Sequence, residues 1–163
     1  MKKILLALFV LGVTACSSFA QTKSSDAGRF SIGLDAGLPV GNVSNYSNLA
    51  IGGSLKYDFP VATGAFLNLS AGYQTFTGKN GAGSLNAVPV KAGVKYYFNG
   101  QGFYGEGQIG AAFITETGAG NAFIYAPALG YTLDGGFDIG LRYEAWSKTG
   151  TISQIALRLS YNL

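Results

Sequence analysis

Apolar and polar residues alternate along most of this chain with a period of two. From Phe30 to Leu38 the sequence reads Phe-Ser-Ile-Gly-Leu-Asp-Ala-Gly-Leu, so every second position is apolar. Because successive side chains of a strand point to opposite faces, this pattern predicts a two-faced strand. It recurs at approximately 49–59, 67–74, 88–98, 103–113, 123–133, 137–145 and 155–163. The chain is therefore predicted to form eight strands, each of about nine to eleven residues, the length that crosses a bilayer when tilted.

The connections between these strands carry a second signal. Those after the odd-numbered strands, approximately 39–48, 77–86, 116–121 and 147–152, are longer than those at 60–64, 99–102 and 134–136. Asn99-Gly100 and Asp134-Gly135 are hairpin dipeptides, because both central positions of a type I′ turn require a positive φ. Short connections predict an antiparallel meander, and the alternation of long and short ones is typical of membrane-spanning barrels.

The direction of the apolar face decides the class of barrel. Charged residues make up only 12% of the chain, too few to solvate a whole outer surface. The apolar row would also overfill the interior of an eight-stranded barrel, which is only just wide enough for side chains. The sequence therefore predicts an all-β, eight-stranded antiparallel up-and-down transmembrane barrel. A soluble lipocalin-like barrel, with the apolar row inside, is the weaker alternative.

Aromatic residues gather near the short turns, one in each strand. In a membrane barrel such residues form an interfacial girdle at the level of the lipid headgroups. The predicted girdle on the turn side consists of Phe30, Phe59, Phe66, Phe98, Phe103, Tyr131, Phe137 and Tyr161.

Charged residues occupy the polar row, which the barrel would turn inward. Ten such positions carry five cations and five anions, a balance that predicts a self-neutralising ionic filling of the lumen. Two of the ten, Asp58 and Asp138, lie near the turns. The predicted network consists of the other eight, Asp35, Lys56, Lys91, Lys95, Glu106, Arg142, Glu144 and Arg158.

Two groupings follow from strand alignment and depth. Aligning Phe98 with Phe103 across their turn places Lys95 opposite Glu106, and we expect these two to pair. At one depth on adjacent strands we expect a second cluster, formed by Asp35, Arg142, Glu144 and Arg158.

The N-terminus is typical of an export signal. Lys2 and Lys3 precede an apolar run over 4–13, and Ser18 and Ala20 supply small residues at a cleavage site. The sequence predicts a signal peptide over 1–20, a short segment over 21–28 and a barrel domain over 29–163. The alternative is a lipobox that makes Cys16 an acylated N-terminal residue.

Composition excludes several kinds of chemistry. The chain has no histidine and one cysteine, so it cannot form a histidine-based triad, a zinc site with imidazole or several thiolate ligands, or an intramolecular disulfide. Two of the charges behind the net +3 come from Lys2 and Lys3, so nothing indicates a nucleic-acid partner. We expect no catalytic residues, metal or cofactor, and therefore no enzymatic activity.

The export signal, the eight alternating strands and the final segment Leu157-Arg-Leu-Ser-Tyr-Asn-Leu163 resemble the small eight-stranded outer-membrane barrels, the group of outer-membrane proteins A, X and W. The resemblance covers roughly 29–163. It implies a location in the outer membrane of a Gram-negative type of cell, contact with outer-membrane lipid, and insertion by the barrel-assembly machinery. We expect a monomer.

Function is less constrained than fold. The expected role is structural or in surface interaction, with an unknown surface partner recognised by the loops at 39–48 and 77–86. Tyr46 is the one aromatic residue in those loops and the candidate contact. The alternative role is a narrow channel for small solutes.

Overall fold

The structure, a computed structural model, describes residues 28–41, 44, 47–79, 83–99, 102–116, 118 and 120–163. It contains eight strands. They are β1 (Arg29–Val40), β2 (Ser47–Ala62), β3 (Ala65–Gly78), β4 (Leu85–Tyr97), β5 (Phe103–Ile114), β6 (Asn121–Thr132), β7 (Phe137–Ser147) and β8 (Thr151–Asn162).

The strands close into a barrel. Each strand pairs antiparallel with the next in sequence, and β1 pairs antiparallel with β8, Asp35 opposite Arg158. The predicted fold class is confirmed. No helix in the described part of the chain is long and apolar enough to cross a membrane.

The strands extend further into the loops than the sequence pattern indicated. Pro39 and Val40 still belong to β1, and Ser47 already belongs to β2, so the first loop spans 41–46 rather than 39–48. The next two loops on that side span 79–84 and 115–120. The fourth, 148–150, was expected to be long but is shorter than the opposite turn at 98–102, because backbone pairing continues to Ser147 and Thr151. We call the side of these four connections the loop end and the other the turn end.

The two faces of the wall separate as the alternation predicted. Neighbouring residues of β1 illustrate this separation, since Leu34 is 70% exposed on the outside and Asp35 is 6% exposed on the inside. Large apolar side chains of all eight strands point outward, whereas lysine, arginine, aspartate and glutamate side chains are buried within. An exposed apolar band of this extent requires an apolar solvent, which a bilayer supplies.

The aromatic girdle at the turn end is present on the outer face, with one correction. The Phe98 and Phe103 rings stack at 5.3 Å between centroids, and those of Phe137 and Tyr161 meet at 5.1 Å. Phe59 and Tyr131 are also exposed, and Phe30 is half-buried.

Phe66 does not belong to this girdle. It has the parity of Asn68 and Ser70, which point inward, and is only 4% exposed. Its ring packs inside the barrel against Tyr97, at 5.8 Å between centroids. Proximity to a turn suggested the girdle, but the period of two decides the face.

Candidate functional site

The lumen is the part of this molecule richest in polar chemistry, and its buried side chains lie in three layers. At the turn end is a cluster of charged and aromatic residues, and in the middle is a second charged cluster. At the loop end is an apolar layer. The structure places all eight residues of the predicted ionic network inside the barrel and buried.

The turn-end cluster comprises Lys56, Asp58, Lys95, Glu106 and Asp138. Lys56 Nζ lies 2.7 Å from Glu106 Oε2 and 3.8 Å from Asp58 Oδ1. Lys95 Nζ lies 3.1 Å from Asp138 Oδ2 and 3.9 Å from Asp58 Oδ2. Asp58 and Asp138, which belong to the ten inward charges but not to the eight singled out as the network, therefore take part in the ionic contacts as well.

Aromatic and hydroxyl groups complete this layer. Tyr104 donates a 2.6 Å hydrogen bond to Asp138 Oδ1, and Thr132 donates one of 2.8 Å to Oδ2. Lys95 Nζ lies 3.8 Å from the centroid of the Tyr104 ring and 4.9 Å from that of Tyr97, within cation–π range. Tyr97 and Tyr104 have the inward parity of Lys95 and Glu106, and parity is the sequence signal that places them here.

The mid-lumen cluster comprises Asp35, Lys91, Arg142, Glu144 and Arg158. Asp35 lies 3.1 Å from Arg142 Nη2 and 3.4 Å from Arg158 Nη1. Glu144 Oε2 lies 2.6 Å from Lys91 Nζ and 3.2 Å from Arg142 Nε. The structure thus brings together the four residues of the second predicted cluster and adds Lys91 to them.

The expected ion pair between Lys95 and Glu106 is not observed in the structure. The register is as expected, with Lys95 directly opposite Glu106 on adjacent strands. Their charged groups nevertheless contact other partners, Asp138 on β7 and Lys56 on β2. The reason is geometric, since inward side chains of a narrow barrel converge on its axis and long ones reach strands beyond the nearest neighbour.

The apolar layer at the loop end was not foreseen. We call it the apolar plug. Trp146 and Phe76 pack edge to face in it, with ring centroids 5.0 Å apart. Its buried members are Ala50, Phe76, Ala87, Ala112, Ala122, Ile124, Ala126 and Trp146, with Leu85, Ile114 and Ile152 packed against them.

Trp146 connects the plug to the layer below. Its indole Nε1 donates a 2.9 Å hydrogen bond to Glu144 Oε1, and Gln154 Nε2 donates one of 3.1 Å to the same oxygen. Parity with Arg142 and Glu144 would have placed Trp146 inside. The prediction for the inward row rested on its charged residues, so it included ionic contacts but no apolar layer.

Hydrogen bonds join the connections of the loop-end rim to one another and to the adjoining end of β4. Lys79 Nζ donates to the Ser44 carbonyl at 2.5 Å, and Glu116 Oε1 accepts from the Asn86 backbone N–H at 2.9 Å. Tyr46, the candidate loop contact, lies outside the described residues. The predicted signal peptide over 1–20 and most of the segment over 21–28 lie outside them as well.

Groups of three or more histidine, cysteine, aspartate or glutamate side chains suited to a metal ion do not occur among the residues that the structure describes. The lumen carboxylates contact lysine or arginine instead. Such an arrangement neutralises buried charge and fixes side-chain positions.

A closed eight-stranded antiparallel barrel with an apolar outer face, an aromatic girdle and a buried polar interior is the architecture of the small outer-membrane β-barrels. Solved structures with this fold include PagL, described as an outer-membrane enzyme, with a TM-score of 0.64 and 18% identity over 80% of this chain and 98% of that one. The Yersinia pestis outer-membrane protein Ail gives a TM-score of 0.59 and 17% identity over 83% and 99%. The N-terminal barrel domain of Pseudomonas aeruginosa OprF gives 0.58 and 14% over 83% and 99%.

These similarities establish the fold and with it the resemblance inferred from the sequence. The searches by sequence found no matching family model and no matching curated protein. The neighbours include both an enzyme and other outer-membrane proteins, so the role of this chain has to be argued from its own residues.

Proposed function

We propose that this protein is a non-conducting outer-membrane barrel with a structural or surface-interaction role, in which recognition takes place at the extracellular rim. The observation that carries the proposal is the filled lumen. Buried side chains occupy the turn end, the middle and the loop end of the barrel. An even number of strands puts both termini on one side, and in outer-membrane barrels that side, with the turns, is periplasmic.

The apolar plug is the strongest argument against the alternative role as a narrow channel. Trp146 is 1% exposed, and Ile124 and Ala112 are fully buried, at the end of the lumen that would open to the exterior. An apolar constriction excludes water, and an ion entering it would lose its hydration without gaining a partner. Passage of a solute would therefore require the plug to move.

The chain's own residues also support a non-enzymatic role. PagL has the same fold and is an enzyme, so the argument cannot rest on the fold. This chain contains no histidine, which removes the commonest general base. Its buried lumen carboxylates lie in ion pairs with lysine or arginine, which stabilise their charged form.

Channel activity is tested by planar-bilayer recording of the purified full barrel. We expect no steady conductance from the parent. The double variant Trp146→Ala, Phe76→Ala, which opens the plug, is expected to conduct intermittently. Phe123→Ala removes an aromatic ring from the lipid-facing side near the same end and should behave like the parent. A steady conductance from the parent would replace this proposal with the channel.

The rim is tested by trimming the loops at 41–46 and 79–84 to tight turns, which should leave folding and insertion intact while abolishing surface binding. One structure of Ail is a complex with the heparin analogue sucrose octasulfate. Lys79 and Lys148 are two cations on the rim of the present chain, against one acid, Glu116. Sucrose octasulfate is therefore a reasonable first probe. Binding that survives trimming would place recognition elsewhere.

A further inference from the structure

The backbone pairing between β3 and β4 is interrupted within the barrel wall. It runs to Ala71–Val90 and resumes at Gln74–Ala87 in the same register, so two positions on each strand are passed over. One of them is Pro89, which has no backbone N–H and cannot donate to a ladder. The interruption is therefore a missing hydrogen bond rather than a bulge.

The group that loses its partner is the backbone carbonyl of Gly72. On the other side of Pro89 the ladder to β5 is continuous through Ala112, so the nitrogen of Pro89 faces β3. By register the residue opposite it is Gly72, whose carbonyl is left without a donor from β4. Because the hydrocarbon core of a bilayer offers no water to replace that donor, the partner of this carbonyl has to come from the lumen side.

A small cavity adjoins this interruption. Gly72, Pro89 and Gln74 line it, together with the buried side chains of Lys91 and Arg142. The cavity is partly open and has room for about one water molecule. A polar cavity of this size holds a water when two or more polar groups can bond to it.

Gln74 supplies a second such group. Its side chain is only 3% exposed, and its amide Nε2 has no hydrogen-bond partner among the described residues. The cations of the cavity are engaged in ion pairs. Lys91 Nζ lies 2.6 Å from Glu144 Oε2, and Arg142 Nη2 lies 3.1 Å from an oxygen of Asp35. The buried charges of the described lumen, five cations and five anions, sum to zero, so a ligand of this cavity has to be neutral.

We propose that this cavity is a binding site for one structural water molecule, which donates to the Gly72 carbonyl and accepts from Gln74 Nε2. Such a ligand has to be a donor and an acceptor at once, as water is and a monatomic ion is not. The water takes the place of the N–H that Pro89 lacks, so the seam between β3 and β4 is closed through the Gln74 side chain. The proposal does not depend on the role of the rim.

The first test is a crystal structure of the full barrel at a resolution that shows ordered water. We expect one water in the cavity, within hydrogen-bond distance of both the Gly72 carbonyl oxygen and Gln74 Nε2. An empty cavity, or a water that fails to contact both groups, would overturn the proposal.

The second test is proton NMR of the perdeuterated full barrel in detergent micelles. The side-chain amide of Gln74 should show a rotating-frame Overhauser cross-peak with water, distinguished by its sign from proton exchange. Gln108 is the matched control, since it is equally buried but its Nε2 already donates to Asn68 Oδ1 at 2.8 Å and to Ser70 Oγ at 3.3 Å. We expect no such cross-peak from Gln108.

Two proline variants test the role of the Gly72 carbonyl. Pro89→Ala supplies the missing N–H, so the carbonyl can pair with β4 and the Gln74 cross-peak should be lost. The ladder between β6 and β7 is interrupted in the same way at Pro127, which lies on the outer face, so Pro127→Ala should leave the cross-peak unchanged. A cross-peak that survives Pro89→Ala, or that is equally strong for Gln74 and Gln108, would contradict the proposal.

Discussion

Lys56 Nζ lies 2.7 Å from Glu106 Oε2, although the two residues stand on β2 and β5, which are not adjacent in the barrel. Lys91 and Lys95 on β4 likewise reach Glu144 and Asp138 on β7. Each of these contacts spans three strands of an eight-stranded ring. These three ion pairs thus connect opposite parts of the barrel wall, and we call them cross-braces.

The first prediction concerns the cross-brace between Lys56 and Glu106. Glu106→Gln leaves the buried Lys56 without its main counter-charge, and we expect a loss of about 3–5 kcal/mol in the free energy of unfolding. Adding Lys56→Met should recover much of that loss, because both charges are then gone. Urea unfolding in detergent micelles provides the measurement.

The partner of Glu106 can be identified by double-mutant cycles. A cycle of Glu106 with Lys56 should give a coupling energy well above that of Glu106 with Lys95, its neighbour by register. Equal coupling in the two cycles, or a Glu106→Gln variant as stable as the parent, would contradict the cross-brace.

The second prediction compares two glycines of β5 that face opposite sides of the wall. A Cβ at Gly110 would meet the backbone of β4, with the Val90 carbonyl oxygen in severe overlap and Lys91 Cα at 2.8 Å. A Cβ at Gly107 has nothing within 4 Å. Gly110→Ala should therefore lower stability by about 1–3 kcal/mol, whereas Gly107→Ala should be neutral or slightly stabilising. Thermal unfolding of both variants in one detergent compares them, and equal midpoints would argue against the close approach of β4 and β5.

How much of this structure could be predicted from the sequence depends on what the alternation of apolar and polar residues specifies. Alternation fixes which face each residue occupies, so the strands, the apolar exterior and the inward position of Asp35 or Glu144 could be inferred. Phe66 was misplaced because its nearness to a turn was given more weight than its parity. The partners of Lys95 and Glu106 could not be inferred, because contacts across a lumen depend on side-chain length and barrel curvature, which no adjacent-strand alignment contains.

The apolar plug illustrates the same limit. Trp146 and Phe76 are far apart in the sequence, on β7 and β3, and nothing in their local segments indicates that they meet. Parity alone would have placed each of them on the inner face, without indicating a contact between them. Only closure of the barrel brings those inner faces together at one end.

The third prediction tests the corrected girdle. In a chain carrying Trp146→Phe, which removes its single tryptophan, Phe59→Trp and Phe66→Trp each introduce one fluorophore near the turn end. Phe59 is 48% exposed on the outer face, whereas Phe66 lies inside. Bromine on the upper acyl chain of the lipid should quench the fluorescence of Phe59→Trp strongly and that of Phe66→Trp little. Equal quenching would return Phe66 to the lipid-facing girdle.

The last prediction concerns orientation in the membrane. Gly83 lies in a connection at the loop end, where a Cβ would find open space, and Asp134 lies exposed in a turn at the opposite end. An even number of strands puts both termini on one side, and since that side is periplasmic in outer-membrane barrels, we expect the loop end to face the exterior. Gly83→Cys should therefore react with a membrane-impermeant maleimide in intact cells, and Asp134→Cys should react only after the outer membrane is opened. The unmodified chain is the control for Cys16, its single native cysteine. Labelling of Asp134→Cys in intact cells, with Gly83→Cys protected, would invert the barrel and place the apolar plug at the periplasmic end.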